Sequence, residues 1–102
     1  MKELTPGDRP REKLLAHGAH ALGDNELVAL VVGNGCRERD SLAVANALLA
    51  AQGGLHGLSR STADDLRRAA GVGRTKAAQV LAAIELGRRT LTRAPARRAQ
   101  LL

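Results

Sequence analysis

A chain of 102 residues with 44% hydrophobic side chains, a formal net charge of +6 and no Phe, Tyr or Trp suits one domain with a modest core of Leu, Val, Ile and Ala. That composition argues against disorder, and the missing aromatics exclude base stacking as a way to hold a single strand. The positive balance leaves phosphate contact as the mode that fits an anionic partner.

In chain order, residues 1–7 read as a lead ending in Pro6-Gly7, with no signal-peptide core. Asp8 is placed to cap a helix with Pro10 in its first turn, running to His17 and stopped by Gly18. Gly23-Asp24 opens a second helix with Glu26 in its first turn. Leu27, Val28, Leu30, Val31 and Val32 are apolar almost all round, so this helix is expected to be buried. β-Branching alone would suit a strand, but the flanking signals favour helix. Gly33-Asn34-Gly35 breaks it, and Cys36-Arg37-Glu38-Arg39 reads as a charged loop. Asp40 or Ser41 would cap a third helix from about Leu42 to Ala51, with Leu42, Val44, Ala45, Leu48 and Leu49 inward. Gly53-Gly54 ends it, and Leu55–Leu58 is a short helical turn. Ser61-Thr62 precedes a short helix with Asp64 and Asp65 in its first turn. Gly71-Val72-Gly73 stops that helix. The last one runs from about Arg74 to Leu91 with Ala77, Val80, Leu81 and Ile84 on one face. Pro95 bars further helix, so residues 92–102 read as a basic linker. The predicted fold is all-α: a compact bundle of about five short helices in residues 8–91.

The sharpest motif is Leu66-Arg67-Arg68-Ala69-Ala70-Gly71-Val72-Gly73-Arg74-Thr75-Lys76-Ala77-Ala78. It resembles a helix-hairpin-helix pattern. Gly71 and Gly73 open backbone angles closed to other residues and leave the turn bare, so Val in place of either is expected to disturb it. Val72 points inward, and Ala77 and Ala78 keep the second helix thin. The amides from Gly71 to Thr75 then lie at a helix N-terminus, where an anion is favoured, with Arg74 and Lys76 adding charge. The candidate nucleic-acid site is therefore Gly71, Val72, Gly73, Arg74, Thr75 and Lys76, with Arg88 and Arg89 as further contacts. The alternative is a plain tight turn between packed helices. Leu27–Val32 followed by Gly33-Asn34-Gly35 echoes the motif, but Asn34 replaces the apolar residue, and this first copy is read as structural.

Asp8-Arg9-Pro10-Arg11-Glu12-Lys13-Leu14-Leu15, Leu22-Gly23-Asp24-Asn25-Glu26-Leu27, Gly53-Gly54-Leu55, Gly71–Ala78 and Glu85-Leu86-Gly87-Arg88-Arg89 together resemble the N-terminal domain of the bacterial RadC family. The likeness covers about Asp8 to Arg89. It implies a DNA-repair or DNA-processing context. It also implies a following C-terminal domain like the zinc-dependent JAB/MPN metallopeptidases, whose His-x-His, Ser and Asp site has no counterpart in this chain. The partners expected are thus DNA, held without sequence preference, and that C-terminal domain.

Other chemistries find little footing. A glycosylase built on such a hairpin needs a downstream Asp, and none follows Asp65; Glu85 is the only later acid. His17 and His20 are separated by Gly18, and His56 and Cys36 are remote, so no zinc spacing exists and no metal or cofactor is expected. A lone Cys36 forms no internal disulfide and suits a reducing compartment. No stretch is apolar for long enough to span a membrane, which makes the cytoplasm the expected location. The expectation is a binding module without catalysis and without a small-molecule substrate. A protein-docking module, with Arg88, Arg89, Arg93, Arg97 and Arg98 merely solvated, is the alternative.

Overall fold

The computed structural model describes residues 9–33 and 38–93. Among them are six α-helices and no strand: α1 (Pro10–His17), α2 (Asp24–Val32), α3 (Glu38–Gln52), α4 (Leu55–Leu58), α5 (Ala63–Arg67) and α6 (Arg74–Thr92), with a 3₁₀ turn at Ala19–Ala21. The fold is the all-α bundle expected from the Ala- and Leu-rich periodicity. The 1–7 lead, the Asn34–Arg37 segment with Cys36, and the linker beyond Arg93 lie outside the described residues.

Sequence-local signals explain the starts of α5 and α2. Thr62 and Asp65 cap α5 reciprocally: the Asp65 N–H donates to Thr62 Oγ1 at 3.2 Å, and the Thr62 N–H donates to Asp65 Oδ2 at 2.9 Å. The Thr62 backbone amide, and after it the Thr62 side chain, hold the Asp65 carboxyl below the usual carboxylate range. A lowered folded-state value means this cap is intact at neutral pH and weakens as pH falls through that value. At α2, Glu26 Oε1 accepts the Gly23 N–H at 2.9 Å.

Two expected starts differ. The N-cap of α1 is Arg9, with no side-chain cap, rather than Asp8, which lies outside the described residues. The third helix begins at Glu38, so Asp40 and Ser41 are inside it instead of capping it, and the charged segment is helical from Glu38 on. A solvated first turn and a charged loop share one composition. Ser41 is one of the buried polar residues, 4% exposed.

The core sits between α2, α3 and α6 and is sealed by α4 and α5. Val28, Ala29, Val32, Ala45, Leu48, Leu58, Leu66, Val72, Ala77 and Val80 form one buried cluster. Nothing in it is larger than Leu, so the helices must approach closely to fill space. The inner face predicted for α3 is observed: Ala45 and Leu48 are fully buried, with Leu42, Val44 and Leu49 packed against the cluster. α2 follows expectation in part, burying Val28, Ala29 and Val32 while Leu27, Leu30 and Val31 stay half-buried.

The closest approach is at Gly57. A Cβ there would be driven into the Gln52 carbonyl, whose carbon would be 2.7 Å away. α4 therefore folds back over the end of α3 with no room for a side chain. Ser61 fastens the same corner, its Oγ lying 2.8 Å from Gln52 Oε1 and 3.0 Å from the Gly57 carbonyl oxygen. By contrast, α1 buries only Pro10 and exposes Leu15. It is pinned to α2 by Lys13 Nζ, which donates to Glu26 Oε2 at 2.9 Å and Oε1 at 3.1 Å.

Candidate nucleic-acid interface

α5 is too short to stand alone and is held by Leu66, which is fully buried. From it the chain descends by two tight turns, Ala69 N–H to the Leu66 carbonyl at 3.2 Å and Val72 N–H to the Ala69 carbonyl at 3.1 Å. Val72 is 6% exposed and faces the core, as its place between two glycines predicted. α6 then starts at Arg74, its first backbone bond running from the Ala77 N–H to the Gly73 carbonyl at 3.1 Å.

The two glycines have different reasons to be there. Gly71 has φ +84, a left-handed conformation that L side chains rarely adopt, and a Cβ on it would meet Val44 Cγ2 at 2.9 Å. Its presence is demanded by the fold. Gly73 has φ −98, and a Cβ on it would find nothing within 4 Å. The expectation that a larger residue at Gly73 disturbs the turn is thereby corrected: the backbone there is ordinary and the space is open. We expect Gly71→Ala to cost about 1–2 kcal/mol for the left-handed backbone alone. Gly73→Ala should stay within about 0.5 kcal/mol of the parent. Urea unfolding of the two variants checks the contrast.

The electrostatics at this end of α6 are also unusual. No side chain caps it and no acid lies in its first turn, whereas α2 has Asp24 and Glu26 there and α5 has Asp64 and Asp65. Arg74 and Lys76 occupy the turn instead. Cations at a helix N-terminus oppose its dipole. Among the described residues neither has a carboxylate partner, whereas Arg67 and Arg68 stand near Asp64 (4.0 Å) and Asp65 (3.7 Å). Arg74 and Thr75 are exposed and Lys76 is half-buried. Gly71, Gly73, Arg74, Thr75 and Lys76 are thus brought together at one surface, with Val72 turned inward beneath them.

Arg88 and Arg89 are not part of that cluster. Fourteen residues of helix separate Arg88 from Arg74, about 21 Å at 1.5 Å per residue. Both are engaged by Glu85: Arg88 Nη2 reaches its Oε1 at 2.8 Å and Oε2 at 2.6 Å, and Arg89 Nε reaches Oε2 at 2.8 Å. Those bonds, from Arg88 first and then Arg89, hold the Glu85 carboxyl below its usual range. One acid between two arginines leaves a single net positive charge at the far end of α6. Among the described residues no three His, Cys, Asp or Glu side chains converge as a metal site would require, and no helix is long and apolar enough to cross a membrane.

Residues 1–78 match the model of a protein family described as UPF0758 N-terminal. The chain is 43% identical over 98 residues to a UPF0758 protein of Rubrobacter xylanophilus, covering 95% of this chain and 43% of that one. A UPF0758 protein of Desulforudis audaxviator is 42% identical over 93 residues, 91% of this chain and 40% of the relative. One from Syntrophomonas wolfei is 45% identical over 92 residues, 89% of this chain and 39% of the relative. The chain therefore spans about two fifths of the length of these relatives. No solved structure matches it. The RadC-like resemblance read from the motifs stands at the level of this family.

Proposed function

Since the chain belongs to the UPF0758 N-terminal family, we propose that it is the nucleic-acid-binding part of a longer protein, gripping a DNA backbone through a helix-hairpin-helix formed by α5, the Gly71–Gly73 turn and α6. The observation that carries this reading is the start of α6: uncapped, cationic where the helix dipole favours acids, and preceded by a glycine that the fold does not need. A phosphate oxygen accounts for all three. It accepts from the amides of the first turn, it is attracted by Arg74 and Lys76, and its approach requires that Gly73 carry no side chain. The domain has no chemistry of its own in this reading; it delivers the rest of the longer chain to DNA.

Phosphate contacts position a protein without specifying bases, so unrelated duplexes should bind equally. Affinity should fall with salt at a log–log slope of roughly −0.9 for each phosphate neutralised. Lys76→Ala should flatten that slope by about one unit on every sequence alike. Gly73→Ala, folded as stably as the parent, should weaken binding by about tenfold, the loss of one charge-assisted hydrogen bond. Fluorescence anisotropy on two unrelated duplexes across a salt series measures all of this. A folded parent chain that fails to bind at low salt, or variants indistinguishable from it, would sink the proposal in favour of a docking module.

A further inference from the structure

We propose that the apolar groove between α2, α4 and α6, together with the distal half of α6, is the seat of the polypeptide C-terminal to α6 in the full-length protein. The groove encloses about 170 Å³ and is lined by Leu27, Val31, Leu55, Leu58, Val80 and Ile84 among others. Leu55 is left 49% exposed at its rim. α6 extends well past the globule that buries its first half. Ala77 and Val80 are 1% and 3% exposed, whereas Leu91 is 85% exposed. At 100° per residue Val80, Ile84 and Leu91 fall within about 40° of one another, so the buried stripe continues in phase onto bare helix.

Gly87 lies one heptad from Val80 on this stripe, in the interior of the helix, and a Cβ on it would meet nothing within 4 Å. A helix-interior glycine weakens a helix, and here it packs against nothing among the described residues. A bare column beside an exposed Leu is what the close approach of a second backbone requires.

Charge argues against a second copy, and length points to the occupant. Glu85 is held by Arg88 and Arg89, and Arg93 lies just beyond, so the stripe is flanked by net positive charge. Two copies of this chain pairing along α6 would bring like charges together. The relatives run to more than twice the length of their matched part. Because α6 is the last helix described, the polypeptide beyond it is tethered beside the groove at high effective concentration. The residues just beyond Arg93 are themselves basic, so the occupant lies further along that tethered polypeptide. This seat lies on a different part of the molecule from the Gly73 turn and does not depend on DNA binding.

Hydrogen exchange on the 102-residue chain and on the full-length protein tests the proposal. Amides of residues 84–92 should exchange at least about tenfold more slowly in the full-length protein, in proportion to the fraction of time the seat is covered. Leu91→Glu should restore fast exchange there while leaving the melting temperature of the 102-residue chain and its DNA affinity unchanged. Equal exchange in the two proteins would overturn the proposal. So would slowing in the 102-residue chain that grows with its concentration, which would assign the seat to a second copy.

Discussion

Gly57→Ala is expected to remove much of the stability of the domain. The added methyl is aimed at the Gln52 carbonyl, a backbone group at the end of α3, and not at a side chain that could swing aside. Relief requires α4 to lift off α3. That movement would break the Ser61 hydrogen bond to Gln52 and uncover Leu58, which is 2% exposed. Overpacking of this kind costs roughly 1–3 kcal/mol and more when backbone must move. At about 4–8 °C per kcal/mol for a domain of this size, the midpoint should drop by about 10–20 °C. Thermal melts followed by circular dichroism at 222 nm check it, with Gly73→Ala as the glycine substitution that should do nothing. A fall of less than about 5 °C would mean that the α3–α4 corner yields without loss of packing.

Leu66→Ala should be of similar size but should act on the proposed interface directly. Leu66 is fully buried and is the main apolar anchor of a helix of five residues. Leu-to-Ala at such a site costs about 2–5 kcal/mol, set by how far the surroundings collapse into the gap. α5 has no length with which to resist, and the turns through Ala69 and Val72 hang from it. Amides of residues 63–73 should therefore lose exchange protection before those of α2 and α3, and DNA affinity should fall with the folded fraction. If the whole domain instead loses protection uniformly, α5 belongs to the same cooperative unit as the central helices.

What the residues disclosed in advance was what local physics decides. The Thr62–Asp65 cap involves neighbours three apart, and the inward face of α3 follows from helical periodicity; both could be read directly. The start of α3 could not, because Glu38, Arg39 and Asp40 suit a solvated turn of helix as well as a loop. Arg88 and Arg89 share a helix with the glycine turn and so look like neighbours of it in sequence, but helical rise carries them about 21 Å away. The two glycines of the turn look alike in sequence. Only the position of Val44 and the backbone angle of Gly71 tell the structural one from the one open to a ligand. Gly57 is the strongest case, since nothing in His56-Gly57-Leu58 announces that a carbonyl five residues earlier will lie against it. The Lys13–Glu26 pair, thirteen residues apart, was equally hidden.

Through that pair the first helix differs from the rest. α1 contributes only Pro10 to the buried residues and is tied to α2 through one ammonium and one carboxylate. Its attachment therefore leans on charge more than that of the helices that bury Leu, Val or Ala side chains. Ionic strength acts on such a tether far more than on packed methyl groups. The hold on the N-terminal helix is thus sensitive to the salt of the surroundings as well as to packing.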